Sequence, residues 1–262
     1  MQLDAGCALS FEASTPTPVI FMLRPRSGYG QWVIREEYLL QPSVPVVEYP
    51  DLYGNLCQRL VIAPGSFSIR TTAQVETADA IDVNLDAAYV PVQDLPETVL
   101  QFLLPSRYCQ SDQLGDLARE IVGDAALGYE QVEAIRQWIQ THIEYQYGTS
   151  NASTSALETA QQRSGVCRDF AHLGISLCRS LNIPARMVVG YLYQLNPMDM
   201  HAWFEAYVGD RWYTFDATQK APKGNRITLA YGRDAADVAL STQFGSMQLL
   251  DMQVWVNAKG CP

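Results

Sequence analysis

A cysteine, a histidine and an aspartate in the second half of the chain are of the types that carry out nucleophilic chemistry together. Cys167 lies at the start of a segment with the features of a helix. The free backbone N–H groups and the dipole of a helix start stabilise a nearby anion, so a thiol there is expected to ionise readily and to be a better nucleophile. Cys178, in the middle of the same helix among leucines, is expected to be an inert core thiol.

Three histidines, at positions 142, 172 and 201, are available as a base for this thiol. His172 follows Cys167 by five residues, which rotates it about 140° around the helix, away from the thiol. His142 ends the preceding predicted helix next to its apolar face, where a structural or capping role fits better. His201 opens a predicted strand, and a rigid sheet suits a catalytic side chain. We therefore predict that His201 is the base.

The segment from His201 to Asp216 is predicted to form a β-hairpin that turns at Gly209-Asp210. A two-residue turn pairs residue 208 with 211 and residue 203 with 216. His201 and Asp216 then lie on one face as diagonal neighbours, roughly 7–8 Å apart at the backbone, within reach of an imidazole–carboxylate hydrogen bond. A three-residue loop would move one strand's side chains to the other face. Asp216 is therefore predicted to orient His201 and to stabilise its imidazolium form.

These three residues predict acyl transfer through a thioester on Cys167. The backbone N–H of the cysteine would bind the oxyanion together with one side-chain donor. Sequence alone leaves three candidates for that donor, Gln161, Tyr147 and Trp138. Taken singly, a buried cysteine, a strand histidine and a turn aspartate each have an ordinary structural explanation. Their combination points to catalysis.

The pattern of apolar residues predicts an α+β protein with two domains. Residues 1–107 are rich in short segments with strand character, and in the stretch 67–76 apolar and polar side chains alternate. Seven prolines between positions 42 and 105 exclude long helices there. A β-sandwich-like domain is the simplest architecture with these features.

Residues 108–262 are predicted to form the second domain, a core of helices packed on an antiparallel sheet. Helix-compatible segments cover residues 111–122, 129–143 and 166–181, and strand-like runs follow at 186–193, 201–208 and 211–216. The third helix has a glycine before it and a proline after it, as helix boundaries often do.

Composition excludes several classes of function. The chain carries 18 basic and 28 acidic side chains, a formal charge of −10, which argues against nucleic acid or an anionic membrane as the main partner. No apolar run approaches the ~20 residues that span a bilayer, and the first residues lack the pattern of a secretory signal. Six scattered cysteines without a CxxC motif fit free thiols in a reducing compartment. We expect a cytoplasmic protein acting on a peptide or protein substrate.

No motif predicts a metal or another cofactor. Zinc sites recur as short spacings such as CxxC or HxxxH, and calcium loops as DxDxDG, and the sequence contains none of these. We therefore expect catalysis by side chains alone.

Three motifs resemble the bacterial branch of the transglutaminase-like cysteine proteinase superfamily over roughly residues 130–240. They are SGVCRDFAHLGISLCRSLNIPARMVVGYL, HAWFEAYVGDRWYTFDAT and, with a weaker likeness, YGRDAADV. The resemblance implies a papain-like core with the nucleophile at a helix start, against an antiparallel sheet. It maps the family's Cys, His and Asp onto Cys167, His201 and Asp216, and implies that the β-rich domain accompanies this core. The family also tends to have a histidine at position 172, and an aromatic residue where this chain has Ala235, in the loop 232–238.

The predicted activity is that of a cysteine peptidase or amidase. Resolution of the thioester by water gives hydrolysis, and resolution by a lysine-like amine gives the cross-linking of a transglutaminase; an open site in water favours hydrolysis. The remaining alternative is a non-catalytic binding module that keeps the fold. Such a module is expected to lack a catalytic residue, whereas Cys167, His201 and Asp216 are all present.

Overall fold

The structure is a computed structural model that describes residues 1–28 and 30–259. Its strands are β1 (Gln2–Ala13), β2 (Thr17–Phe21), β3 (Gln31–Gln41), β4 (Val47–Pro50), β5 (Leu56–Ile62), β6 (Gly65–Thr77), β7 (Glu144–Tyr145), β8 (Ser164–Gly165), β9 (Ala185–Leu192), β10 (His201–Val208), β11 (Arg211–Phe215), β12 (Arg226–Gly232), β13 (Ser241–Gln243) and β14 (Met247–Ala258). Its α-helices are α1 (Glu97–Leu100), α2 (Gly115–Val122), α3 (Tyr129–His142), α4 (Ala156–Gln162) and α5 (Cys167–Ser180).

The N-terminal strands form a sandwich of two antiparallel sheets, with strand orders β14-β1-β6-β3 and β13-β2-β5-β4. Along β6 the alternate residues from Phe67 to Val75 are buried, which confirms the predicted period of two. The sheets are held together by aromatic packing, in which Phe21 lies 5.7 Å from Phe11 and 6.4 Å from Phe67 between ring centroids. The prediction of a β-sandwich-like N-terminal domain is confirmed.

The last two strands pair with this sandwich. β14 is antiparallel to β1, and β13 is antiparallel to β2. This differs from the expectation that all of 108–262 belongs to the second domain, and the boundary at 107/108 stays a prediction. The sequence does not predict that β14 joins the N-terminal sheet. Most residues of this strand are exposed, so it lacks the alternation that marks a half-buried strand.

The second half of the chain packs helices against the antiparallel sheet β11-β10-β9-β12. Helix α5 is buried along nearly its whole length and lies against β10 and β9. Gly174 permits this close approach, since a Cβ there would lie 2.5 Å from the ring of Phe204. The predicted helix 166–181 is thus confirmed to within a residue at each end. Within the described residues no helix is both long and apolar enough to span a membrane.

An apolar cluster joins the two parts of the molecule. Leu3, Ala5 and Val75 of the sandwich pack with Tyr191 of β9 and Ile227 of β12. The N-terminal domain therefore packs against the sheet that carries the candidate catalytic residues.

Candidate active site

Cys167 is the first residue of α5, as the sequence predicts to within a residue. The helix starts there because the buried carboxylate of Asp169 accepts a hydrogen bond from the Val166 N–H at 2.9 Å. Gly165 makes room for this carboxylate, since a Cβ at that position would lie 2.8 Å from Cβ of Asp169. The half-buried thiol is thereby held at the positive end of the helix dipole.

The hairpin of β10 and β11 has the predicted register. Residue 208 pairs with 211 and residue 204 with 215, joined by a two-residue turn. Gly209 and Asp210 both have positive φ, 54° and 63°, as a type I′ turn requires. The register places His201 and Asp216 on the same face of the hairpin, and Nε2 of His201 lies 2.7 Å from Oδ2 of Asp216. The two side chains are thus within hydrogen-bond distance, as the predicted register requires.

Asp216 is buried, and both of its carboxylate oxygens have polar partners. Its Oδ1 accepts from the Thr218 hydroxyl at 2.7 Å and from the Thr218 N–H at 3.0 Å, and its Oδ2 lies 2.9 Å from Nη2 of Arg226. Burial would raise its pKa, but the charges of Arg226 and His201 and the bonds from His201 and Thr218 hold this pKa well below the ordinary value. Asp216 is therefore a carboxylate throughout the neutral range.

The imidazole of His201 is 3% exposed and faces both the carboxylate and the thiol. Burial lowers its pKa, but the charge and hydrogen bond of Asp216, and then the hydrogen bond and charge of Cys167, raise the pKa to about 9. Since Nε2 is bonded to Asp216, Nδ1 is the nitrogen left for the thiol. At neutral pH the imidazole is therefore protonated, and a cationic neighbour is the environment that activates a cysteine as a nucleophile.

The side chain of His172, in α5, contacts Tyr108 and the loop 232–238. Its ring stacks on Tyr108, 5.0 Å between centroids, and its Nε2 accepts the N–H of Ala235 at 3.1 Å. The side chain is completely buried, which lowers its pKa to about 4, so the ring is neutral at pH 7. The residue links α5 to the loop 232–238.

Sequence alone offers Gln161, Tyr147 and Trp138 as side-chain donors to the oxyanion. Gln161 is exposed, Tyr147 is 54% exposed, and Trp138 stacks on His142, with 4.7 Å between the ring centroids. His142 thus has the structural environment expected for it.

Tyr145 is the aromatic side chain that interacts with Cys167. Tyr145 is 42% exposed, and the burial of the rest of its side chain, followed by the charge of Cys167 and the contact with Tyr147, raises its pKa far above the ordinary value. The short parallel pairing of Tyr145 with Gly165 places this side chain next to the start of α5.

Two residues of the site escaped the sequence analysis. Tyr145 and Tyr147 stand two positions apart in EYQYGT, and nothing in that segment distinguishes them. Arg226 follows a loop of mixed composition, and its contact with Asp216 depends on the position of β12 in the sheet. A buried arginine side chain is rare, but the sequence gives no sign that Arg226 is buried.

No cluster of three or more His, Cys, Asp or Glu side chains within residues 1–28 and 30–259 is arranged to hold a metal ion.

The fold and the site define a transglutaminase-like core accompanied by an N-terminal β-sandwich. A family model described as the transglutaminase-like superfamily matches residues 115–217. A crystal structure of a protein from Cytophaga hutchinsonii, described as a candidate cysteine protease, is 39% identical, with a TM-score of 0.92 over all of this chain and 93% of that one. The chain belongs to the transglutaminase-like superfamily, whose members include cysteine-dependent enzymes.

Sequence relatives extend the likeness without adding a function. An uncharacterized protein of Mycobacterium leprae is 27% identical over 233 residues, which are 83% of this chain and 82% of the relative. An uncharacterized protein of Mycobacterium tuberculosis is 30% identical over 145 residues, 48% of this chain and 46% of the relative.

Proposed function

We propose that the protein is a cysteine-dependent hydrolase of peptide or glutamine-type amide bonds, with Cys167 as nucleophile, His201 as base and Asp216 as the group that orients the base. The observation that carries the proposal is the 2.7 Å contact between His201 Nε2 and Asp216 Oδ2, with the other side of the imidazole at the thiol of a helix start. This is the relationship that nucleophilic catalysis by a thiol requires.

In the acylation step the Cys167 sulfur attacks the carbonyl carbon of the amide and forms a C–S bond. His201, protonated at the start, donates its proton to the amide nitrogen as the C–N bond breaks. An amine leaves, the acyl group remains as a thioester on Cys167, and His201 is left neutral. Asp216 keeps the imidazole in the required orientation throughout.

In the second step neutral His201 takes a proton from water, which attacks the thioester carbonyl. The C–S bond breaks, a carboxylic acid leaves, and the thiolate–imidazolium pair is restored. A primary amine in place of water would give a new amide, the transglutaminase outcome. Hydrolysis is favoured because Cys167 is half-buried at the wall of an open cavity, to which water has access.

The oxyanion that forms in both steps needs hydrogen-bond donors at the start of α5. We propose the backbone N–H of Cys167 and the hydroxyl of Tyr145, a residue that pairs with Gly165 just before the start of α5. The substrate oxygen would accept a hydrogen bond from this N–H and a second one from the Tyr145 O–H.

The activity is tested with a panel of glutamine-containing peptides, incubated with and without an added primary amine and followed by mass spectrometry. We expect free acid as the main product in both conditions, and loss of turnover in Cys167→Ala. Cys178→Ala is the matched control, since it removes a fully buried thiol far from the site. Amide product in excess of acid would indicate a transferase, and unchanged turnover in Cys167→Ala would refute the nucleophile assignment.

The nucleophile can also be tested without a substrate. Iodoacetamide should alkylate Cys167 rapidly at pH 7, and His201→Ala should slow this alkylation at the same thiol, because the imidazolium that stabilises the thiolate is gone. Comparing one thiol in two proteins avoids the difference in burial that separates Cys167 from Cys178. Equal rates in the two proteins would contradict the assigned pair.

We also propose a cytoplasmic location. The cysteines at positions 7, 57, 109, 167 and 178 are free thiols, the state that a reducing compartment maintains. Fractionation of the host cell, followed by detection with an antibody, is the direct measurement. Recovery of the protein outside the cytoplasmic fraction would contradict this assignment.

A further inference from the structure

A cavity of about 320 Å³ opens directly beside the candidate nucleophile, with Cys167 and His201 in its lining. One wall is formed by the sheet, through Met187, Val189 and Ala202. This volume is at the lower end of the range for ligand sites, so it suits one side chain with its adjoining backbone rather than a large cofactor.

A second part of the lining comes from the loop 232–238 and the residues after it, through Ala235, Val238 and Leu240. Ala235 contributes only a methyl group to this wall. A phenyl or isobutyl group at the same position would therefore occupy space that the cavity now leaves open.

The loop wall is fixed by buried polar groups. The N–H of Ala235 donates to His172, and the buried carboxylate of Asp234 accepts from the N–H groups of Tyr108 at 2.8 Å and Ala236 at 2.9 Å. Arg179 of α5 donates to the carbonyl of Arg233 at 2.7 Å. Because the wall is anchored to the same helix that carries Cys167, the shape of the cavity is set before substrate binds.

The charge of the lining also restricts the occupant. Arg168 is the ionic side chain among the lining residues other than the catalytic pair, and its guanidinium is paired with Asp169 at 2.9 Å. The lining includes no carboxylate to bind a lysine or arginine side chain. An apolar occupant loses no hydrogen bonds on entering such a cavity, whereas a charged one would.

We infer that this cavity is a specificity subsite for an apolar side chain of the leucine, methionine or phenylalanine class in the acyl part of the substrate. The inference rests on the proposed function, because it assigns the cavity to the substrate of Cys167. The acyl part is the one assigned because it stays bonded to the sulfur through both steps, next to the cavity that the cysteine itself lines.

The test uses peptidyl chloromethyl ketones, which alkylate a nucleophilic thiol with loss of chloride and need no turnover. Acetyl-Gly-Gly, acetyl-Leu-Gly and acetyl-Gly-Leu reagents are compared by the rate at which mass spectrometry finds Cys167 modified. We expect one of the leucine reagents to react roughly 10- to 100-fold faster than the glycine reagent, the gain from burying one leucine side chain. Replacing that leucine by lysine or glutamate should remove the gain.

Ala235→Phe fills the cavity and should reduce the leucine-to-glycine ratio of rates toward one. Ala236→Phe is the matched control, since the neighbouring side chain is exposed and is not part of the lining, and it should keep the wild-type ratio. Thermal unfolding of both variants establishes that each is folded.

Failure of the subsite can be distinguished from failure of the proposed function. If the leucine reagents show no advantage while iodoacetamide still labels Cys167 in a His201-dependent manner, the subsite is refuted and the proposed function stands. If His201→Ala has no effect on iodoacetamide labelling, the proposed function fails. A ratio that Ala235→Phe leaves unchanged, or that Ala236→Phe lowers equally, also overturns the subsite.

Discussion

The guanidinium of Arg226 lies 2.9 Å from Oδ2 of Asp216, the same carboxylate oxygen that Nε2 of His201 contacts at 2.7 Å. Two cationic groups therefore share one buried anion. Arg226 stabilises the carboxylate, and by doing so it reduces the negative charge available to His201. The strength with which Asp216 holds an imidazolium is set by this sharing, which makes Arg226 a positioning residue for the candidate triad.

The first prediction concerns the removal of this arginine. Arg226→Met leaves the Asp216 carboxylate buried with one cation fewer, and loss of one partner of a buried ion pair costs about 3–5 kcal/mol. We expect a loss of that order in the free energy of unfolding, measured with urea at pH 7. Asp216→Asn in the same background should recover part of the loss, because it removes the uncompensated charge.

The control for Arg226 is an exposed pair of the same chemistry. Arg211 and Asp82 form an ion pair at 2.9 Å, but their side chains are 53% and 74% exposed. Such surface pairs contribute about 0–1 kcal/mol, so Arg211→Met should be nearly neutral. Equal effects of the two substitutions would show that the pair of Arg226 and Asp216 is screened like a surface pair.

The second prediction concerns His201 at alkaline pH. Its pKa is raised to about 9 in the folded protein, against an ordinary value of ~6.5. The stabilisation that this shift provides is complete below pH ~6.5 and is lost as the pH rises through about 9. The stability difference between wild type and His201→Gln should therefore decrease over that interval in urea titrations.

Cys167→Ala should lower the pKa of His201, as NMR of the three histidines can measure. A midpoint near the ordinary value in the wild type would contradict the ion pair.

The third prediction concerns His172, whose pH dependence has the opposite sign. Its pKa of about 4 lies below the ordinary ~6.5, so the unfolded chain binds a proton more readily than the folded protein does. The stability linked to this neutral ring is complete above pH ~6.5 and is lost as the pH falls toward 4. His172→Gln should flatten this acid slope while its side-chain oxygen still accepts the Ala235 N–H.

His172→Phe separates stacking from hydrogen bonding. A phenyl ring can stack on Tyr108, but it leaves the Ala235 N–H without its acceptor, at a cost of about 1–3 kcal/mol relative to the glutamine variant. Urea unfolding at pH 7 measures this difference. A phenylalanine variant as stable as His172→Gln would show that the hydrogen bond does not anchor the loop.

The candidate triad could be predicted because its members carry local signals. Gly165, the acidic Asp169 four positions later and a periodic apolar segment mark the start of α5, and they fix the position of Cys167. The Gly209-Asp210 turn sets the register of the hairpin, and register decides which residues share a face. Both signals act over a few residues, within the range that a sequence pattern can specify.

The remaining contacts of the site depend on long-range arrangement. Arg226 reaches Asp216 because β12 pairs with β9 on the side of β9 away from β10, a strand order that no local motif encodes. Tyr145 reaches Cys167 through a two-residue parallel pairing, too short to leave a periodic pattern. The strand β14 returns to the N-terminal sheet across more than half the chain, and its exposed residues give no indication of a partner.

The fourth prediction distinguishes the two tyrosines of EYQYGT as oxyanion donors. Tyr145→Phe removes the hydroxyl that interacts with the start of α5 while keeping the aromatic contact with Phe170, 5.6 Å between centroids. Loss of one oxyanion donor lowers kcat by about 10²–10³ with little change in substrate binding. Tyr147→Phe is the matched control, because its side chain is 54% exposed and packs edge-on against Tyr145. Steady-state kinetics on a cleaved peptide should therefore show a large decrease in kcat for Tyr145→Phe and a change of less than about threefold for Tyr147→Phe. If KM rises and kcat does not fall, Tyr145 binds substrate uniformly and the donor lies elsewhere.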